Sequence, residues 1–339
     1  MAWIPGGTFL MGSTIDDYPE EHPQHRVRVD GFWADASPVT VAQFTRFTKA
    51  TGYLTVAERP PSPADYPDLD PALLVAGSLV FTATAGPVDL TDWRAWWRYI
   101  PGASWRHPEG PRSSVTGREL HPVTHVAWQD VAAYAAWAGK ALPTEAEWEF
   151  AARGGLDGAR YAWGDEFSPG GRRLANTWLG EFPWQNLKPA GERRTSPVRS
   201  YPPNGYGLYD VTGNVWEWTS DFYRPSHAAG ARNSDGVSSG DGAPGHSCCG
   251  PGGRVAALAA HPSIQTHSGI QTNPSIETPE GSYDQDEPGG AHLPRRVIKG
   301  GSHLCAENYC QRYRPAGRQA QQVDSGMSHI GFRCIVRPG

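Results

Sequence analysis

The sequence predicts an α+β fold, built as one loop-rich domain with little regular secondary structure. Three observations carry that reading. Glycine (40) and proline (31) together make about a fifth of the 339 residues, which argues against a helical bundle. A helical apolar period is confined to three short segments, closely interleaved with strand-like pieces, and no linker divides them. The 14 tryptophans supply large rigid side chains that can pin irregular chain. Residues 1–339 therefore read as a single domain, with an insertion at 226–290 that is expected to be mobile.

In chain order, Ile4 to Gly12 reads as a strand, a Pro-Gly-Gly turn and a second strand. His25 to Trp33 alternates Val27 and Val29 against Arg26, Arg28 and Asp30, as a half-buried strand does. Thr40 is placed to cap a helix in which Val41, Phe44 and Phe47 recur, and Gly52 stops it. Trp93 to Gly110 reads as irregular chain pinned by aromatics. A second helix runs from Val126 to Ala138, with Gly139 as its stop. The third begins at a capping box, Thr144-Glu-Ala-Glu147, and ends at Gly154-Gly155. Later strand-like pieces are short: Val198 to Tyr201, Trp216 to Thr219, Arg296 to Lys299 and Gly331 to Val336. Ser226 to Gly290 is rich in Gly, Ser, Pro and His and holds a hexapeptide near-repeat (SIQTHS, GIQTNP, SIETPE) and the vicinal Cys248-Cys249. It reads as a long surface insertion.

A net charge of -5 and a pI near 6.2 suggest neither a nucleic-acid surface nor a polybasic membrane patch. No apolar run approaches spanning length, and the N-terminal residues lack a basic region followed by an apolar one. Five cysteines are too few and too odd for a disulfide-stapled secreted domain. These features predict a cytoplasmic protein, monomeric or weakly associating.

The chemistry concentrates in Lys299-Gly-Gly-Ser302-His-Leu-Cys305-Ala-Glu-Asn-Tyr309-Cys310-Gln-Arg312-Tyr-Arg314. Two cysteines on one short loop can hold a soft metal ion, form a disulfide or do redox chemistry. A lone C-x₄-C leaves those alternatives open.

The framework around it narrows them. Leu142-Pro-Thr-Glu-Ala-Glu-Trp-Glu149, Pro203-Asn-Gly-Tyr-Gly-Leu-Tyr-Asp210, Gly213-Asn-Val-Trp-Glu-Trp218, Lys299-Gly-Gly-Ser302 and Gly331-Phe-Arg-Cys334 occur in one order. This resembles the formylglycine-generating enzymes, also called sulfatase-modifying factors. The resemblance runs from about Trp3 to Val336. It implies a formylglycine-generating-enzyme domain of C-type-lectin-like lineage. It also implies an oxidase that binds an unfolded or nascent sulfatase polypeptide at a Cys-x-Pro-x-Arg motif. That cysteine becomes Cα-formylglycine through O₂, one Cu(I) and an external reductant. The framework motifs recur in a wider superfamily, so they speak for fold more than activity. A non-catalytic or sulfoxide-synthase-like member of that superfamily is the alternative.

By the same resemblance, Cys305 and Cys310 are the copper ligands, in keeping with the preference of Cu(I) for few thiolates. Ser302 and Tyr309 are hydrogen-bonding groups beside the metal, and Trp216 walls the oxygen and substrate pocket. Trp105 and Arg106 are candidates for the substrate cleft, as is His329. A Ca²⁺ site is implied at Asp210 and Glu217 by side chain and at Gly213 and Val215 by carbonyl, an all-oxygen set suited to a hard cation. A second Ca²⁺ site would begin at Asn176-Thr177, but Ala190 stands where its aspartate would be. That loss leaves the second site weak or absent, and the loop up to Thr195 must then be held another way. His125 reads as structural, and Cys334 as a buried free thiol because Ala152 stands where secreted relatives place its disulfide partner.

Overall fold

The structure is a computed structural model, and it describes residues 1–227, 271–272, 279–284 and 293–339. Most of the expected 226–290 insertion, with Cys248-Cys249, lies outside the described residues. Its described end, 279–284, is tied to the body by Arg295, whose backbone N–H donates to Ser282 Oγ at 3.0 Å and whose guanidinium pairs with Asp284 at 2.7 Å.

The three helices sit where the sequence puts them. Helix α1 (Val41–Thr51) opens on Thr40, whose hydroxyl accepts from Gln43 N–H while the Gln43 side chain accepts from Thr40 N–H. Gly52 closes it in the left-handed conformation. Helix α2 (Trp128–Trp137) is shorter at its start than the periodicity suggests, because Asp130 caps the N–H of Ala127 at 2.8 Å. Helix α3 (Glu145–Arg153) carries the expected Thr144–Glu147 capping box.

The strands form four small sheets. Strand β1 (Ala2–Ile4) does not pair with β2 (Gly7–Met11), the simplest outcome of a strand, turn and strand. Gly6 sends them to different partners: β2 pairs with β3 (His25–Val29), and β1 with β4 (Phe32–Ala34). Strand β6 (Trp97–Pro101), in chain read as irregular, pairs antiparallel with β5 (Gly77–Phe81). The central sheet is built on β7 (Trp216–Phe222). A two-residue strand β8 (Gln271–Thr272) pairs in parallel with β3. Strand β9 (Arg295–Lys299) pairs antiparallel with β7, placing Lys299 opposite Glu217, and β10 (Arg318–Gln322) pairs with β9. Strand β11 (Ile330–Gly331) runs parallel to β7, and β12 (Ile335–Val336) adds to β4. The strand expected at Val198 to Tyr201 does not form, because Arg199 takes φ 67° so that its N–H can donate to the Asp210 carboxylate at 2.8 Å. No helix among the described residues is long and apolar enough to cross a membrane.

One apolar core packs Phe44, Phe47, Tyr134, Trp105, Trp216, Trp218 and Phe332, and a second lies under α3 around Trp148, Ile4 and Phe32. Between them the interior is ionic. Glu145, Glu149 and Arg153, one helical turn apart on α3, are all buried. Lys299 donates to Glu149 at 2.9 Å, Arg153 to Glu149 at 2.7 Å, and Arg318 grips Glu145 at 2.7 and 3.0 Å. Arg312 binds Glu20 at 2.6 Å, and Arg314 binds both oxygens of Glu21 at 2.9 and 2.6 Å. Burial alone would raise the carboxyl pKa values of Glu145 and Glu149. Arg318 and Lys299 beside the first, and Lys299 and Arg153 beside the second, hold both down at about 2.

Removing one partner from such a cluster leaves uncompensated buried charge. Glu149→Gln is therefore expected to cost about 3–5 kcal/mol of unfolding free energy, read from denaturant midpoints. The two depressed carboxyls contribute stability that is complete above their unfolded value of about 4.5 and is lost as pH falls through about 2. Wild-type stability should thus fall between pH about 4.5 and about 2, and Glu149→Gln should fall less steeply over that window.

Candidate functional site

The cysteine loop begins where β9 ends. Gly300 and Gly301 take φ 90° and 70°, and Gly300 C=O accepts the N–H of Gly213 at 2.9 Å, which fastens the turn to the segment leading into β7. The loop then folds on itself: Cys305 N–H donates to Ser302 C=O at 3.0 Å, and Cys310 N–H to Ala306 C=O at 2.9 Å. The result is two buried sulfurs 3.2 Å apart and not joined as a disulfide. Ser302 N–H donates to Cys305 Sγ at 3.4 Å, and Ser302 Oγ accepts from Leu304 N–H at 3.2 Å. Ser302 therefore belongs to the same turn as the first thiol.

The far side of the loop is aromatic. The Tyr309 ring stacks on Phe182 at 4.6 Å and 2°, with the edge of Trp96 at 5.3 Å. Trp178 N–H donates to Cys305 C=O at 2.9 Å, and Asn308 Oδ1 accepts from Phe182 N–H at 3.2 Å. Trp216 starts β7 fully buried, its N–H donating to His329 C=O at 2.9 Å. Its indole Nε1, like that of Trp96, is buried with no hydrogen-bond partner among the described residues. A buried N–H without an acceptor is costly, and a bound group that offers one would repay it. The His329 ring is buried against Trp97 at 4.8 Å.

Two tyrosines outside the expected set also belong here. Tyr18 accepts from Gln311 N–H at 2.9 Å and lies under both Arg312 and Arg314 at 4.6 and 4.7 Å. Burial, and then the nearby Cys310, push its hydroxyl pKa up to about 12. Tyr313 is raised by burial too, with Tyr161 and then Cys305 adding to it. Tyr18 lies nearly 300 residues from the loop in sequence, so no local pattern could have marked it. Tyr313 carried such a signal, in its Arg-Tyr-Arg context.

The other expected sites come together less fully. Trp105 is in the core, 2% exposed, with Phe44 against its ring at 5.2 Å and Glu58 accepting from its Nε1 at 3.3 Å. Arg106 lies over that ring at 4.1 Å and pairs with Glu58 at 3.1 Å. His125 is structural, its ring nitrogens bonded to Ser78 Oγ and Pro108 C=O at 2.8 and 2.9 Å. Cys334 is buried and free of any disulfide, and burial raises its thiol pKa.

Among the described residues no group of three or more His, Cys, Asp or Glu side chains gathers to hold a metal. Asp210 is buried with φ 55° and accepts from Arg199 N–H at 2.8 Å and Asn214 Nδ2 at 3.4 Å. Burial, the largest influence, raises its pKa, and the Arg199 N–H and the Arg333 charge only partly oppose it. Glu217 differs. Arg333 binds both its oxygens at 2.6 and 2.7 Å, and Trp148 Nε1 donates to one of them at 2.8 Å. The expected pair of free carboxylates is thus reduced to Asp210, because Glu217 is neutralised by Arg333. At the second expected Ca²⁺ site, Asn176 Oδ1 accepts from the buried Lys188 ammonium, and Thr177 C=O accepts from Arg173 at 2.7 Å. Burial, with Arg173 next, pulls the Lys188 pKa down to about 7.

Comparison with known proteins agrees with this framework. The family model described as "Sulfatase-modifying factor enzyme 1-like domain" matches residues 1–338. A formylglycine-generating enzyme from Mycobacterium tuberculosis is 48% identical over 335 residues, spanning 99% of this chain and 97% of that protein. One from Streptomyces coelicolor is 42% identical over 340 residues, spanning 98% and 87%. Among solved structures, PvdO from Pseudomonas aeruginosa shares the fold, with a TM-score of 0.54 at 21% identity over 99% of this chain and 93% of that one.

Gly301 tests the loop geometry. A Cβ there would sit 2.9 Å from the Tyr313 backbone at φ 70°. Gly301→Ala is expected to cost about 1–3 kcal/mol in thermal unfolding and to make the two thiols react faster with a thiol reagent.

Proposed function

The chain belongs to the sulfatase-modifying factor family, and from that premise we propose that it converts a cysteine within a Cys-x-Pro-x-Arg segment of an unfolded sulfatase polypeptide to Cα-formylglycine. The oxidant is O₂, an external reductant supplies further electrons, and one Cu(I) is the cofactor. The observation that carries this reading is the pair of buried sulfurs of Cys305 and Cys310, 3.2 Å apart on one hydrogen-bonded turn. Two soft donors with no third His, Cys, Asp or Glu gathered beside them among the described residues suit a soft ion with few ligands better than a hard one.

In this reading Cys305 and Cys310 hold the ion and leave room for the substrate thiol. A bound copper ion supplies the one-electron chemistry that lets O₂ react with a thiol. In balance, thiol, O₂, two protons and two electrons give aldehyde, hydrogen sulfide and water. The protein's own residues prepare that step. Ser302 shapes the turn around the first thiol, and Tyr309, one residue before the second, is held flat against Phe182. Trp216 and Trp96 wall the pocket, and their unpartnered indole N–H groups can receive an acceptor from the substrate or O₂. His329, behind Trp97, lines the peptide approach.

A calcium ion at Asp210, with the carbonyls of Gly213 and Val215, is part of the same proposal. The support is a buried carboxylate that makes no ion pair among the described residues, and Glu217 contributes only by sharing oxygens with Arg333. The protein works as a monomer in a reducing cytoplasm, a placement supported by the buried, unbridged Cys334. The alternative, a family scaffold without this activity, leaves the two thiols without a use.

Incubating the protein in air with Cu(I), a reductant and a Cys-x-Pro-x-Arg peptide should convert the thiol to an aldehyde, visible by mass spectrometry and by hydrazide capture. Cys305→Ala and Cys310→Ala should each abolish conversion and weaken Cu(I) binding roughly 100-fold, about 2.8 kcal/mol. An unchanged Cu(I) affinity in Cys305→Ala refutes the assignment. Calcium should raise the Tm of the wild type and leave that of Asp210→Asn unmoved.

A further inference from the structure

Lys188 is 6% exposed, and its ammonium donates to Asn176 Oδ1. Arg173 donates to the neighbouring Thr177 at the carbonyl, 2.7 Å, and at the hydroxyl, 3.3 Å. The amide of Asn176 is fixed by its other end: Nδ2 donates to Arg194 C=O at 3.0 Å, Ser196 Oγ at 3.3 Å and Asn214 Oδ1 at 3.4 Å. Its oxygen therefore faces Lys188 by constraint rather than by choice of rotamer. Oxygens that a hard cation would require are here already accepting from two side-chain cations. Ala190 brings no charge to the loop, and the nearby carboxylate, Glu192, is exposed. A divalent ion needs six to eight oxygens with a surplus of negative charge, which this turn does not offer. Two added positive charges beside Lys188 and Arg173 would be repelled.

We propose that the Asn176–Thr177 turn carries its own cation, the Lys188 ammonium assisted by Arg173, in place of a bound calcium ion. Tethering the cation to the chain makes the order of the 176–196 loop independent of calcium supply. The device is coupled to the cysteine loop through a continuous path. Asn214 N–H donates to Asn176 C=O at 2.8 Å, and Asn214 C=O accepts both the N–H and Nδ1 of His303 at 3.0 and 2.8 Å. From the same loop, Trp178 holds the Cys305 carbonyl and Phe182 stacks on Tyr309.

The test counts calcium and measures melting on the full chain, stripped with a chelator and then titrated with Ca²⁺. The wild type should bind no calcium beyond any ion that Asp210→Asn removes. Lys188→Met should melt at least about 2 °C lower than the wild type in chelator. The double variant Lys188→Met/Ala190→Asp should bind one more calcium than the wild type and regain melting temperature when calcium is added. A wild type that keeps a calcium in the Asp210→Asn background overturns the proposal. So does an unchanged melting temperature in Lys188→Met, or a folded double variant that binds no additional ion. If neither lysine variant folds, the calcium count of wild type against Asp210→Asn still decides.

Discussion

The structure depends on a lattice of buried ion pairs. Glu20, Glu21, Glu145 and Glu149 are matched by Arg312, Arg314, Arg318, Lys299 and Arg153, and every one of these side chains is withdrawn from water. Desolvating so many charges is expensive, and their mutual attraction does little more than offset that cost. The return is specificity. Each carboxylate has a defined set of donors, so a shifted register strands a charge in the interior and is rejected. The four small sheets and three short α-helices of the described residues offer few long ladders to set the geometry, and the lattice supplies what they do not.

The lattice also explains why the thiols stand where they do. Arg312 and Arg314 follow Cys310 directly and are clamped to Glu20 and Glu21 near the opposite end of the chain, with Tyr18 between the guanidiniums. Lys299, at the other end of the loop, is clamped to α3. The segment between those two anchors carries Ser302, Cys305, Tyr309 and Cys310. Its remaining freedom is taken by the Phe182 stack and by the Trp178 bond to Cys305. The two thiols are therefore held 3.2 Å apart by the fold itself. In the surrounding loop, Lys188 and Arg173 donate to Asn176 and Thr177.

Much of the secondary structure was legible because its signals are local. Thr144–Glu147, Thr40 and Gly52 need no tertiary context to cap and stop helices, and all three do so. The α+β class followed from glycine, proline and short interleaved patterns. What escaped were outcomes of distant pairing. Gly6 divides one apparent hairpin between two sheets. The β5–β6 hairpin hides among tryptophans, and Arg199 leaves the extended region to serve Asp210. The cysteine loop was legible as a motif, yet the sulfur–sulfur approach and the role of Tyr18 arise from long-range contacts. The contacts of Trp105 with Phe44 and Glu58 join residues about 50 positions apart or more, beyond the reach of a local pattern. Asp210 and Glu217 looked equivalent until Arg333 took one of them. The missing charge at Ala190 was visible, but the contact of Lys188 with Asn176 was not.

The central claim is that Cys305 and Cys310 form a two-thiolate site completed by the thiol of the substrate. X-ray absorption at the copper edge, recorded on the anaerobic Cu(I)-loaded protein before and after a Cys-x-Pro-x-Arg peptide is added, addresses it most directly. The account predicts sulfur-only scattering from two ligands that rises to three with the peptide. Nitrogen or oxygen ligation, or a sulfur count that the peptide does not change, would contradict it.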